Sequence, residues 1–329
     1  MNQYLKSMTA TEQVGAMFVF VFGCLFIASV ALLLLSLREH ADRGADEARR
    51  SNLARGNTLL SSSWVMVIVF WVGWLSGDVG ATVLFGLVSF FALREFMALS
   101  PTRRGDHRSL VLAFFVILPM QYTLVGMQHY DLFTVFIPVY VFLAIPVVSA
   151  LANDPQRFLE RNAKLQWGIM VCIYGMSHVP ALLLLEFPNY RDRGAFLVIF
   201  LALVVQTCMV VQYLVTRRLR RAPAAPAISS SFNWLSWGIA VGVASVLGAL
   251  LAGITPFKPG QAFVMALIAC VAGSLGHLVM KAIKRDRGIP DWGQQGDGVT
   301  GANGLLDRVD ALCFAAPVFF HSVRWYFNL

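Results

Sequence analysis

Apolar runs of about twenty residues recur along almost the whole chain, the length a helix needs to cross a bilayer. Residues 15–37, 109–130, 132–153, 165–185, 194–216, 233–254 and 259–280 contain no Lys, Arg, Asp or Glu. Residues 59–77 and 79–93 form two shorter runs separated by Asp78. A last run, 305–327, carries Asp307, Arg308 and Asp310 at its start and Arg324 near its end. Hydrocarbon offers backbone groups no partner outside the helix, so spanning segments of this kind fold as helices. The strands of a membrane barrel are shorter and alternate in polarity, whereas these runs are apolar all round. With 57% hydrophobic and 13% charged residues, the chain also falls far from the roughly 25% charge of soluble domains. The expectation is an all-α, polytopic integral membrane protein of about ten transmembrane helices. The first run is too long for the apolar core of a cleavable signal, and no small-residue cleavage site leads from it into a soluble domain.

Basic residues predict the orientation. Of the 26 Lys and Arg, only Lys6, Arg191, Arg193, Lys258 and Arg324 lie outside the loops at 38–59, 94–108, 157–164, 217–221 and 281–308. Every second connection is therefore basic. This places those loops in the cytoplasm and both termini outside, in a bacterial-type inner membrane. The net charge of +8 is then mainly a topology signal that also favours anionic headgroups, at about 1 kcal/mol per basic residue near the surface. No basic domain stands apart from the membrane, so nucleic acid is not an expected partner. All five cysteines lie in apolar runs, in spacings that match neither a disulfide framework nor a zinc motif. Within 38–59, Glu39 and Arg43, and Asp46 and Arg50, are spaced for a short surface helix. Residues 222–231 read as an irregular Pro/Ala/Ser connector.

One loop concentrates chemistry. KRDRGIPDWGQQGDGVTGANGLLDRVD, residues 284–310, opens on Lys284 and Arg285 and closes on Asp307 and Asp310. The cations suit phosphate oxygens, Arg in a two-pronged fashion. The intervening glycines let backbone approach a ligand. Two acids at i,i+3 share one helix face and supply the hard oxygens that suit magnesium beside a phosphate.

This stretch, continued as ALCFAAPVFF, resembles the C-terminal signature of the phosphatidate cytidylyltransferases, or CDP-diacylglycerol synthases. Lys284, Arg285, Asp291, Gly301, Gly304, Asp307, Arg308 and Asp310 carry the resemblance, and FALREF at 91–96 resembles an early family segment. The likeness is strongest from 194 to the end. It divides the chain into 1–193, about six supporting spans, and 194–329, the signature-bearing spans. The resemblance implies transfer of a cytidylyl group from CTP to phosphatidate, giving CDP-diacylglycerol and diphosphate in phospholipid biosynthesis. It further implies catalytic Asp307 and Asp310 holding Mg2+, substrate contacts from Lys284, Arg285, Asp291 and Arg308, and a homodimer.

The pattern also breaks. Met209 stands where the family has an acid, and Phe232, Asn233 and Leu235 stand where a lysine, a threonine and an acid are expected. His277 replaces an aspartate and is a further candidate metal ligand, although imidazole suits zinc or copper better than magnesium. Pro290 replaces a lysine, and Ala302 and Asn303 replace the first two residues of H-G-G. A single outer change at a metal site costs about 10–100-fold, and here several groups are replaced together. The sequence therefore predicts a catalytically degenerate member that binds lipid, nucleotide or a partner. The alternative is an active enzyme whose altered metal site uses Asp307 and Asp310. The residues at 94 and 95 are expected to form a local ion pair or an interfacial anchor, and His178 and His321 to be neutral interior histidines.

Overall fold

The computed structural model describes residues 10–41, 47–98, 103–186, 193–219, 221–229, 231–288 and 304–328. Among these residues all regular structure is helical, apart from one isolated bridge between Ala225 and Ser229. Ten helical segments follow one another: α1 Ala10–Ala41, α2 Glu47–Leu75, α3 Gly77–Ala98, α4 Arg104–Gly126, α5 Tyr130–Ala150, α6 158–183, α7 Gly194–Leu219, α8 Trp234–Ile254, α9 Pro259–Asp286 and α10 Leu305–Phe327. Each apolar run read from the sequence falls largely within one of them. Seven are long and apolar enough to cross a membrane, and α2 adds a shorter apolar stretch, Ser63–Leu75. The chain is thus a polytopic helical membrane protein. Of the surface-helix pairs expected at 38–59, Arg43 and Asp46 lie outside the described residues.

The chain divides into two compact units, residues 1–75 and 76–329. In the first, α1 and α2 pack through aromatic side chains. Phe22 meets Trp64 and Trp71 at centroid distances of 5.7 and 5.9 Å, and Phe18 meets Trp74 at 5.7 Å. The Trp64 indole N–H finds its acceptor in Ser29 Oγ at 3.0 Å, as a buried indole requires.

In the second unit, helices approach where side chains are small, the usual solution when lipid removes the hydrophobic drive for helix association. A Cβ on Gly175 of α6 would stand 2.3 Å from the Cys313 carbonyl oxygen of α10. A Cβ on Gly168, two turns earlier, would meet Phe96 of α3 at 2.9 Å. α6 is therefore the helix against which both α3 and α10 are seated. Polar contacts tie the same elements: Ser89 of α3 and Tyr122 of α4 share a 2.5 Å hydrogen bond. α4, α5 and α6 each widen into a π turn, at Ala113–Ile117, Phe136–Val141 and Ile169–Gly175. Pro119 and Pro138 lie just past or within such turns, where the missing proline N–H disturbs the ladder least.

One charged clasp joins the starts of α4 and α6 to the end of α5. Arg161, buried, reaches Asp106 at 3.0 Å and Asp154 at 2.5 Å, and Arg103 donates to Gln156. Partial burial opposes ionisation of Asp154, but the hydrogen bonds from Arg161 and the Gln156 amide, with the charges of Arg161 and Arg103, hold its carboxyl below the usual range. A depressed carboxyl stabilises the fold above the unfolded aspartate pKa of about 3.9 and ceases to do so as pH falls through its folded value. The clasp is therefore intact at neutral pH and opens only in acid.

Two outcomes follow. Gly175→Ala overpacks the α6–α10 contact and should cost about 1–3 kcal/mol, read as a lower thermal midpoint in detergent. Arg161→Gln should lower the midpoint at pH 7, and the difference from wild type should shrink progressively as pH falls below the ordinary aspartate value of about 3.9 and through the lower value of folded Asp154.

Candidate functional site

α9 and α10 run antiparallel, and their interface carries the chemistry. Gly273 and Gly276 lie one turn apart on α9. A Cβ on Gly276 would fall 2.2 Å from the Phe314 ring, and one on Gly273 would fall 3.1 Å from the Ala311 carbonyl oxygen. The helix period carries this face on through His277, Met280 and Lys284. On α10 the opposing face begins with Asp307 and Asp310. An ion pair and a histidine–carboxyl hydrogen bond result. Lys284 Nζ donates to Asp307 Oδ1 at 2.5 Å, and His277 Nδ1 meets Asp310 Oδ2 at 2.7 Å. Lys284 and Asp310 are buried. The second Asp310 oxygen, Oδ1, accepts from the Ala311 amide at 2.6 Å. Both oxygens of Asp310 are thus engaged.

Met209 belongs to the same level of the bundle. Val205 of α7 faces Gly273, where a Cβ would meet Val205 Cγ1 at 3.2 Å, and Cys270 Sγ reaches the Val204 carbonyl at 3.6 Å. One turn further along both helices brings Met209 level with His277. No oxygen is available at that position from a methionine.

Glu95 enters the site from α3. It is buried, and its Oε2 accepts from the Leu306 amide at 3.1 Å. Its other oxygen, Oε1, is buried without a hydrogen-bond partner. It is therefore an interior residue bound to α10 rather than an interfacial anchor. Its partnership with Leu306 is not legible in the sequence, where Glu95 is only part of FALREF and an acid at the end of an apolar run.

The remaining predicted residues divide by position. Arg285 is exposed and Arg308 half-buried at the ends of the same two helices. Asp291, with Pro290, Gly301, Ala302 and Asn303, lies outside the described residues. His178 and His321 sit away from this site. His178 Nδ1 donates to the Tyr174 carbonyl at 2.7 Å, and His321 Nε2 is 3.1 Å from the Tyr174 hydroxyl. Arg324 reaches Asp131 at 3.2 Å in the same distant part of the unit.

A resident Mg2+ takes near-octahedral oxygen at about 2.0–2.1 Å, commonly from one or two carboxylates plus water and phosphate. The described residues do not fit that requirement. Asp307 is bonded to an ammonium, Asp310 to an imidazole and an amide, and a metal would have to displace them. Among the described residues, no three His, Cys, Asp or Glu groups cluster as metal ligands.

Comparison with known proteins agrees with the signature. The Cytidylyltransferase family model matches residues 57–326. The uncharacterized protein YnbB of Escherichia coli (strain K12) is 34% identical over 273 residues, which span 82% of this chain and 87% of YnbB. The phosphatidate cytidylyltransferase of Mycobacterium leprae (strain TN) is 32% identical over 174 residues, 52% of each protein.

Removing one member of the buried pair strands the other. His277→Ala should cost about 1–3 kcal/mol by leaving Asp310 unsatisfied. The double variant with Asp310→Ala should lose less than the sum of the two single losses. Thermal unfolding of the four proteins in detergent gives the comparison.

Proposed function

The chain belongs to the cytidylyltransferase family, and on that premise we propose that it is a member which binds nucleotide or anionic lipid at the α9–α10 site without transferring a cytidylyl group. One observation carries the reading. Lys284 and His277 already engage the two signature acids at hydrogen-bonding distance. An acid bonded within the protein in this way offers less to a divalent cation, and Lys284 in that pair is withdrawn from phosphate. Arg285 and Arg308 are the groups left to face an anionic headgroup or triphosphate. The likeness to a phosphatidate cytidylyltransferase supports CTP and phosphatidate as the ligands to try first.

The proposal includes the orientation read from the basic loops. Glu95, Arg161, Lys284 and Asp307 then share the cytoplasmic end, and Arg324 with Asp131 the outer end. The contacts joining α3 to α10, and α4 and α5 to α6, support this grouping. Residues 194–329 supply the ligand-facing cations and acids, and α3 and α6 support them through their contacts with α10.

The test is direct. Purified protein receives labelled CTP, phosphatidate and Mg2+, beside an active family member. Retained binding of CTP or phosphatidate with no CDP-lipid formed is the expected result. Metal-dependent CDP-diacylglycerol formation that disappears in Asp307→Ala or Asp310→Ala would instead establish the active alternative. Replacing Met209→Asp together with His277→Asp should raise Mn2+ affinity about tenfold or more, measured by electron paramagnetic resonance.

A further inference from the structure

We infer that Glu95 is a positioning residue of the site: it fixes the first turn of α10 and with it the placement of Asp307 and Asp310. The two residues it joins lie 211 positions apart. α10 starts from Gly304 in a left-handed conformation, with φ of 73°, and has no capping side chain of its own. The first amides of a helix lack intrahelical partners and carry the positive end of its dipole. Glu95 supplies an acceptor that is missing: the Leu306 amide donates to its Oε2 at 3.1 Å.

The rest of the unit holds Glu95 at that point. Its neighbour Phe96 and nearby Leu93 press on Gly168 of α6, at 2.9 and 3.2 Å from where a Cβ would lie. Gly175, seven residues along α6, takes the backbone of α10 at Cys313. One helix thus seats both the residue that caps and the helix that is capped. Asp307 begins one residue beyond Leu306, so a shift of this turn moves its carboxylate relative to Lys284. Asp310, one turn further, moves relative to His277.

The ligand arm of the test rests on the proposed function; the structural arm does not. Amide hydrogen exchange is measured over 304–310 in detergent for wild type, Glu95→Ala and Glu95→Gln. The amide oxygen of Gln can still accept from Leu306, whereas Ala cannot. The expected result is exchange in this turn about fivefold faster or more in the Ala variant. The Gln variant should stay within about twofold of wild type, and α7 and α8 should be unchanged in both. Wild-type exchange in the Ala variant, or no rescue by Gln, overturns the assignment. CTP binding is then compared by equilibrium dialysis well below the melting temperature, with weakening in Ala and recovery in Gln as the expected pattern. Unaltered CTP affinity in an Ala variant whose turn exchanges faster overturns the role in the site. Absence of CTP binding by wild type counts against the proposed function, while the exchange result still decides whether Glu95 fixes the turn.

Discussion

The arrangement of charges depends on how closely α9 and α10 approach. Gly273 and Gly276 remove the side chains that would separate them, so groups further along the same faces meet at hydrogen-bonding distance. In lipid, such contact has to come from packing and interhelical polar bonds. A charge left unpaired there is expensive, and a buried pair is kept only with good geometry. Lys284 with Asp307 and His277 with Asp310 meet both demands. The same bonds that join the helices occupy the oxygens a metal would use. Helix association and metal binding compete for one set of groups.

That competition explains which parts of the molecule were legible in the sequence. The ten helices were, because backbone satisfaction in hydrocarbon leaves the chain one local solution and the apolar runs mark where it applies. The start of α2 was legible only as a separate short surface helix. It begins at Glu47, well before the apolar run at 59, because a helix propagates into polar sequence once formed. That Asp307 and Asp310 share one helix face was legible from their i,i+3 spacing. Their partners were not, since pairing Lys284 with Asp307 and His277 with Asp310 needs the antiparallel register of α9 and α10. Spacing within one segment carries no information about that register.

Glu95 shows the same limit over a longer distance. Read locally, an arginine–glutamate step at the end of a span resembles an interfacial anchor. Its actual role is set by α6, whose two small positions seat α3 and α10. The likeness of FALREF to an early family segment therefore has a physical content that the motif does not state. An acid here reaches the start of the signature helix, whichever ligand that helix serves.

The first turn of α8 is a second place where the chain satisfies its own polar groups. The resemblance puts a lysine, a threonine and an acid where Phe232, Asn233 and Leu235 stand. Phe232 is buried, and Asn233 caps α8 by accepting from the amides of Leu235 and Ser236 at 2.9 and 3.3 Å. Its own amide donates to the Ala222 carbonyl at 2.9 Å, closing the connector. Trp234 is 63% exposed, as befits an aromatic at a membrane interface. The Trp237 indole donates to Ser274 Oγ at 2.8 Å, three residues before His277 on α9. At positions where the resemblance implies phosphate-binding groups stand a buried ring, Phe232, and a helix cap, Asn233, and nearby Trp237 makes an interhelical hydrogen bond. The acids of α10 are likewise bonded to this chain's own Lys284 and His277. Freeing Asp307 and Asp310 alone would still leave α8 without a phosphate-binding cation at these positions.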